Sequence, residues 1–348
     1  MSSSLPDPHG YDSDGDDEEL LVSDQEGLSG NTSPVIPDMS PHLVELAPNE
    51  FPSYFMERGG RLFHSHRTSP YPLPADTPEQ QRLNVTHAAL SRLIGANYVG
   101  PVPDLLAPVP DRQKLVLDLC TGTGKWVMDM AREFPHALFR GFDIVPIATR
   151  YPPHNVQFEV HDVNSPYRWR TSSIDFVHAR SVSMAVRDYP AVLQEVARIL
   201  RPDGLFLSCE WGRHSAFHPA FNLDPEVHAP AACHFFEVLG KALDTCRGIQ
   251  PIASRVPSFL RNSGCFKNIE SRCFYMPIGP WHAEPEMKLL GRAFRASLLR
   301  YADSVKPLLL EAGWSEEEVL QIIGAYIHEL KTVHGMVGVM HTVHARRL

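Results

Sequence analysis

Three aspartates and two glycines are the residues of this 348-residue chain whose types and spacing suit chemistry. Asp118 closes a short apolar run, and Gly122 and Gly124 follow it in VLDLCTGTG, Val116 to Gly124. Lacking a Cβ, glycine lets such a turn bend sharply and brings backbone close to a ligand. Asp143 closes a second apolar run 25 residues beyond Asp118, and Asp162 follows a third in VHDV. In an open α/β sheet the ligand lies across the carboxyl ends of the strands, so acids at three such ends line one crevice. An acid at the second strand end can accept hydrogen bonds from both hydroxyls of a ribose, which marks a nucleoside ligand. No Gly-Lys-Thr or Gly-Lys-Ser follows the loop, and CTGTGKW lacks the GxGxxG of a dinucleotide site. The loop fits a ligand without phosphates.

Positioning these acids requires strands and helices in alternation, and the central segment has that pattern. Strands are expected at Leu115 to Leu119, Ala137 to Asp143, Val156 to Val160, Ile174 to Ala179, Leu205 to Glu210 and Phe266 to Met276, with a short β-like run from Val337 to Ala345. Helical spacing runs from Lys125 to Phe134, Ala191 to Leu200, about Pro230 to Thr245, Arg255 to Asn262, Glu284 to Ala312 and Ser315 to Thr332. An earlier helix begins at Thr77, with Thr as cap, Pro78 in the first position and Gln80 reaching back; Leu83, His87, Leu90 and Ile94 mark its buried stripe. On that stripe His87 reads as a hydrogen-bonded packing residue. Asp175, at the start of the fourth strand, reads as a surface turn acid.

These segments resemble the seven-stranded S-adenosylmethionine-dependent class I methyltransferases. The motifs that carry the likeness occur in order: DLCTGTG, GFD, HDV, FDFVHAR and ILRPDGLF, over roughly Leu115 to Glu210. The arm GRLFHSHRTSPYPLPADTPEQQRLNVTHAAL and the string GTGKWVMDMAREFP look like the fungal LaeA-like methyltransferases, whose founding member regulates secondary metabolism. The resemblance implies a doubly wound, seven-stranded, mostly parallel α/β sheet of Rossmann-like kind, with helical insertions and an N-terminal arm. It implies S-adenosyl-L-methionine as cofactor. Asp118, Gly122 and Gly124, with Cys120 in the same loop, would hold its methionine part. Asp143 would take the ribose hydroxyls, Asp162 and Val163 would contact the adenine, and His178 would face the transferring methyl as the catalytic candidate. Family members usually carry glycine where this chain has Cys120. The expected acceptor is a small metabolite or a protein, with a regulatory protein complex as the alternative partner and the cytoplasm or nucleus as location.

Composition narrows the remaining classes. Twelve acids and no Lys or Arg lie in the first fifty residues, so the formal charge of −9 becomes 32 − 29, or +3, in the body. Such a balance gives no broad footprint for a nucleic-acid backbone. Six cysteines without a CxxC pair suggest a reduced environment, and no apolar run approaches the roughly 18 residues of a membrane helix. His214 and His218 in HSAFH lack the HExxH pattern and a third partner, so no metal site is expected. The expected organisation is a disordered acidic tail (1–48), an arm with one helix (49–110) and a catalytic domain (111–348) with a helical insertion at about 283–332. The arm and that insertion are expected to cover the crevice. Leu289, Leu290, Phe294, Leu298 and Tyr301 share helical spacing there, read as core packing first and as an apolar substrate wall second.

Overall fold

The computed structural model describes residues 43–348; expectations for residues 1–42 lie outside it. The arm opens with an antiparallel hairpin, β1 (Phe55–Arg58) and β2 (Arg61–His64), closed by Gly59 and Gly60 in left-handed conformations. Helices α1 (Thr77–Ile94) and α2 (Val102–Leu106) follow. The alternating segment then gives β3 (Leu115–Leu119), α3 (Lys125–Glu133), β4 (Leu138–Asp143), β5 (Val156–Val160), β6 (Ile174–Arg180), α4 (Tyr189–Ile199) and β7 (Leu200–Trp211). Next come α5 (Pro225–His228), α6 (Pro230–Arg247), α7 (Val256–Ser263) and β8 (Phe266–Pro277). Helices α8 (Pro285–Ser304), α9 (Lys306–Glu311) and α10 (Glu316–Thr332) lead to β9 (Val337–Arg347).

Seven strands form one sheet in the order β5-β4-β3-β6-β7-β9-β8. The first five are parallel, and β9 runs antiparallel between β7 and β8. Successive side chains of a strand point to opposite faces, so a strand covered on both sides is apolar throughout. In β3, Val116 joins the core under α1, α3, α6 and α8, while Leu117 and Leu119 join the core under α4 and α7. That doubly wound arrangement matches the expected fold class.

Several local expectations are corrected. The cap of α1 is Asp76, one residue earlier than Thr77: its carboxylate accepts the Glu79 N–H at 3.2 Å and also holds Arg61, a pairing that a threonine could not make. Gln80 does reach back, to the Ala75 carbonyl at 2.9 Å. Asp175 is buried, not a surface turn acid; it receives both guanidinium arms of Arg112 and the Leu115 N–H, tying β6 to the start of β3. The stretch Glu284 to Ala312 breaks after Ser304 into α8 and α9, because Pro307 cannot continue a helix interior. The closing run proves to be a full strand between two others.

Candidate functional site

The crevice is built where β3, β4 and β6 end. Parallel pairing sets Asp118 beside Gly141 on one side and His178 on the other. After β3 the chain turns through Cys120 (φ 52°), Gly122 (φ 56°) and Gly124 (φ 75°) into α3. A Cβ on Gly124 would lie 2.5 Å from the Phe158 ring, so packing forbids a side chain there. At Gly122 a Cβ would meet only Leu83, at 3.7 Å, and would take up space in the crevice itself. Thr123 Oγ1 donates to Asn84 Oδ1 at 2.7 Å, joining the loop to α1. Cys120 takes the left-handed backbone expected of glycine, and burial pushes its thiol well up, so it stays protonated and inert.

Asp143 closes the far side of the loop. Its Oδ2 accepts the Gly122 N–H at 2.8 Å and its Oδ1 accepts the Val145 N–H at 3.3 Å. Burial raises its pKa to about 6 against the pull of these backbone donors. Each carboxylate oxygen carries two lone pairs, so a pair of hydroxyl donors can still be accepted. Asp162 Oδ1 accepts the Asn164 N–H at 3.0 Å and its Nδ2 at 2.9 Å, a turn role, while Asp162 also lines the crevice beside buried Val163. Ile144, Val145 and Ile147 add an apolar wall next to it. Thr121 Oγ1 and His161 Nε2 line the same space, buried and without partners. A crevice with an acid able to take two hydroxyls, an apolar wall and orphaned polar atoms fits an adenosyl group that bears no phosphate.

His178 is 1% exposed. Its Nδ1 lies 2.7 Å from Asp118 Oδ1, and its ring stacks on Trp126 with centroids 3.7 Å apart. Burial lowers its pKa, so the ring is neutral, donating through Nδ1 and keeping Nε2 as an acceptor. His87, on α1, is likewise held: Asp129 Oδ2 lies 2.8 Å from its Nε2 and Arg180 Nη2 2.9 Å from its Nδ1. It is a hydrogen-bonded packing residue at the crevice edge, as its place on the buried stripe indicates.

A second chamber, of about 1040 Å³, adjoins the crevice. Tyr71, Leu73, Leu83, Thr86, Ser181 and Trp211 line both. Tyr71 and Leu73 come from the arm, whose Tyr71 carbonyl lies 2.8 Å from His64 Nε2 and whose Thr68 carbonyl accepts Arg187 Nη2 at 2.9 Å. The arm therefore lines the crevice as expected, whereas the helices of the insertion line the adjoining chamber and not the crevice. Leu290, Phe294 and Tyr301 of α8 lie in the core with Leu298 packed against it, as the core-packing reading has it; Phe294, Leu298 and Tyr301 also line the chamber, and Leu289 is exposed. Trp211 and Phe294 stack at 4.8 Å. Glu210, at the end of β7, accepts the Val182 and Ser183 N–H groups at 2.9 and 3.3 Å, and burial raises its pKa to about 7. His214 also lines the chamber; His218 instead packs edge-on to Tyr275. Among the described residues no group of three or more His, Cys, Asp or Glu could hold a metal ion, and no helix is long and apolar enough to cross a membrane.

Sequence reasoning missed Tyr71, Arg82 and Arg213 in this second space. For Arg213 a signal existed: it stands just past the carboxyl end of a strand, where the same crevice rule applies.

The family model for a methyltransferase domain matches residues 95–246. The chain is 30% identical over 267 residues to the secondary metabolism regulator laeA of Coprinopsis cinerea, spanning 76% of this chain and 66% of that relative. It is 28% identical to methyltransferase pytC of Aspergillus terreus, over 75% of this chain and 78% of the relative. A solved phosphoethanolamine N-methyltransferase of Haemonchus contortus, bound to S-adenosyl-L-methionine, aligns at 14% identity over 86% of this chain and 72% of its own, with a TM-score of 0.44. Sheet order, ordered motifs and relatives agree on the class: the chain carries a methyltransferase domain over residues 95–246 and is similar to the S-adenosylmethionine-dependent class I methyltransferases. Within that class it resembles the laeA and pytC proteins.

Proposed function

We propose that the chain transfers a methyl group from S-adenosylmethionine to a small-molecule acceptor held in the second chamber. The observation that carries this reading is the shared wall: the crevice suited to the donor opens beside an apolar space of similar size. Asp143 takes the ribose hydroxyls, and Asp162 and Val163 border the adenine. Gly122 gives the methionine part its room, with Asp118, Cys120 and Gly124 setting the curve of the loop. Bound there, the cofactor supplies an electrophilic methyl whose bonding pair returns to sulfur, which loses its positive charge. The residues need mainly to align a lone pair of the acceptor with that carbon. Such alignment supplies about 7 to 11 kcal/mol of a barrier when reacting atoms are held roughly 3 to 3.5 Å apart. His178, pinned by Asp118 and Trp126, serves as a positioning residue facing the methyl.

A second reading, a regulatory protein that uses the fold to bind partners, is favoured by the name of the laeA relatives. One experiment separates the two. Purified chain is first shown by calorimetry to bind S-adenosylhomocysteine, then given methyl-labelled cofactor and a cell extract. Label in the small-molecule fraction is the expected result. Label in protein would replace the small acceptor by a side chain, and label in neither, with binding intact, would favour the regulatory reading.

A further inference from the structure

We propose that the second chamber selects a flat, largely apolar molecule bearing an anionic oxygen, and that Arg213 and Tyr301 hold that oxygen. This rests on the reading above that the chamber receives the acceptor.

The argument starts from what the chamber's polar groups already do. Arg82 is spent: it forks onto Glu79 through Nε at 3.0 Å and Nη2 at 2.5 Å. Glu210 is held by two backbone N–H groups. Arg213 donates through Nη2 to the Gln250 carbonyl at 2.6 Å and interacts electrostatically with Glu210; its Nη1 is buried with no hydrogen-bond partner among the described residues. A charged donor left unsatisfied in a low-dielectric space is costly, and an anionic oxygen is the partner that removes most of that cost. Tyr301 repeats the pattern. Among the described residues its hydroxyl, on a ring 9% exposed, meets just Met184 Sδ, at 4.0 Å, a weak acceptor at a long distance. Arg213 and Tyr301 both line the chamber, and the charges of Arg213 and Arg82 both act on that hydroxyl. Around them the walls are mostly apolar, with Trp211 and Phe294 stacked on each other beside Met184 and Leu298, and aromatic faces of this kind favour a flat apolar body. Two unspent donors in an apolar slot describe a ligand with an ionised oxygen at one edge, such as a carboxylate, phenolate or enolate.

The test compares two probes of one shape on the full chain saturated with S-adenosylhomocysteine: 1-naphthoate and the neutral 1-naphthalenemethanol. Calorimetry is expected to show naphthoate binding at least tenfold tighter. Arg213→Met is expected to weaken naphthoate at least tenfold, with the alcohol and S-adenosylhomocysteine within twofold of the parent. If R213M does not fold, Tyr301→Phe, which removes one hydroxyl, is expected to lower naphthoate affinity about threefold and leave the alcohol unchanged. Equal affinity for the two probes, binding of neither, or a preference that survives R213M (or, in its place, Y301F) would overturn the inference. Those outcomes leave S-adenosylhomocysteine binding intact, whereas loss of that binding in the parent chain would overturn the reading beneath it.

Discussion

The crevice and the chamber share a wall, yet they are built in opposite ways. The groups proposed to hold the donor lie between Asp118 and His178, one strand end after another, although residues of the arm and α1 also line the crevice. The chamber collects Tyr71 from the arm, Met184 from the loop after β6, Trp211 from the end of β7, Phe294 and Tyr301 from α8, Tyr326 from α10 and Val337 from β9. On the proposed function, the crevice recognises its ligand by hydrogen bonds and the chamber by shape and exclusion of water. The contrast then teaches that donor recognition would reside in a contiguous piece of chain, while acceptor recognition would be distributed over elements far apart in sequence.

The largest expected effect that would test this division is at Asp143. Asp143→Ala removes the acceptor for two hydroxyl donors and should weaken S-adenosylhomocysteine by about 3 kcal/mol, roughly a hundredfold. Naphthalenemethanol, which touches only the chamber, should bind the variant as it binds the parent. A cofactor affinity unchanged in calorimetry would remove Asp143 from the site and blur the contrast.

A smaller effect follows from protonation. The Asp143 carboxyl ionises near pH 6 in the free protein, raised by burial, and its ionised form is the better acceptor for hydroxyl donors. Ligand binding therefore pulls its pKa down, and affinity is full above pH 7 and falls as pH drops through 6. Only about a tenth is ionised one unit below, so affinity at pH 5 should be about tenfold weaker than at pH 7.5. Asp143→Asn should flatten the profile. A slope that persists in that variant would assign the titration to another group.

The smallest concerns the loop itself. Cys120 sits at φ 52°, where a side chain costs about 1 kcal/mol that glycine avoids. Cys120→Gly should raise stability by up to about 1 kcal/mol in denaturant unfolding, the gain being reduced by the greater freedom of glycine when unfolded. Destabilisation instead would mean that the packing of this half-buried side chain against Leu117 and Leu119 outweighs the strain.

Much of the fold was legible because strand ends carry their own punctuation. Leu115–Leu119 and Val156–Val160 are found at the residues expected, since an apolar run bounded by an acid or a proline leaves little choice of register. Where a neighbour distant in sequence decides, the reading failed. Asp175 resembles a turn acid until Arg112 is brought against it, and Asp76 outcompetes Thr77 as a cap partly because Arg61 holds it. Tyr71 and Arg213 of the chamber carried no periodic signal, because their role comes from which elements meet around them.

The sequence by itself determined the alternation of strands and helices and the acids at the strand ends, because these depend on local periodicity and on the rule that ligands bind at strand ends. Only the tertiary structure decided that β9 slots between β7 and β8, that the arm lies over the crevice, and that Arg213 and Tyr301 are left with donors to spare. Those facts depend on long-range packing and on which hydrogen bonds remain unmade once the chain has closed, and neither is written in the spacing of residues along it.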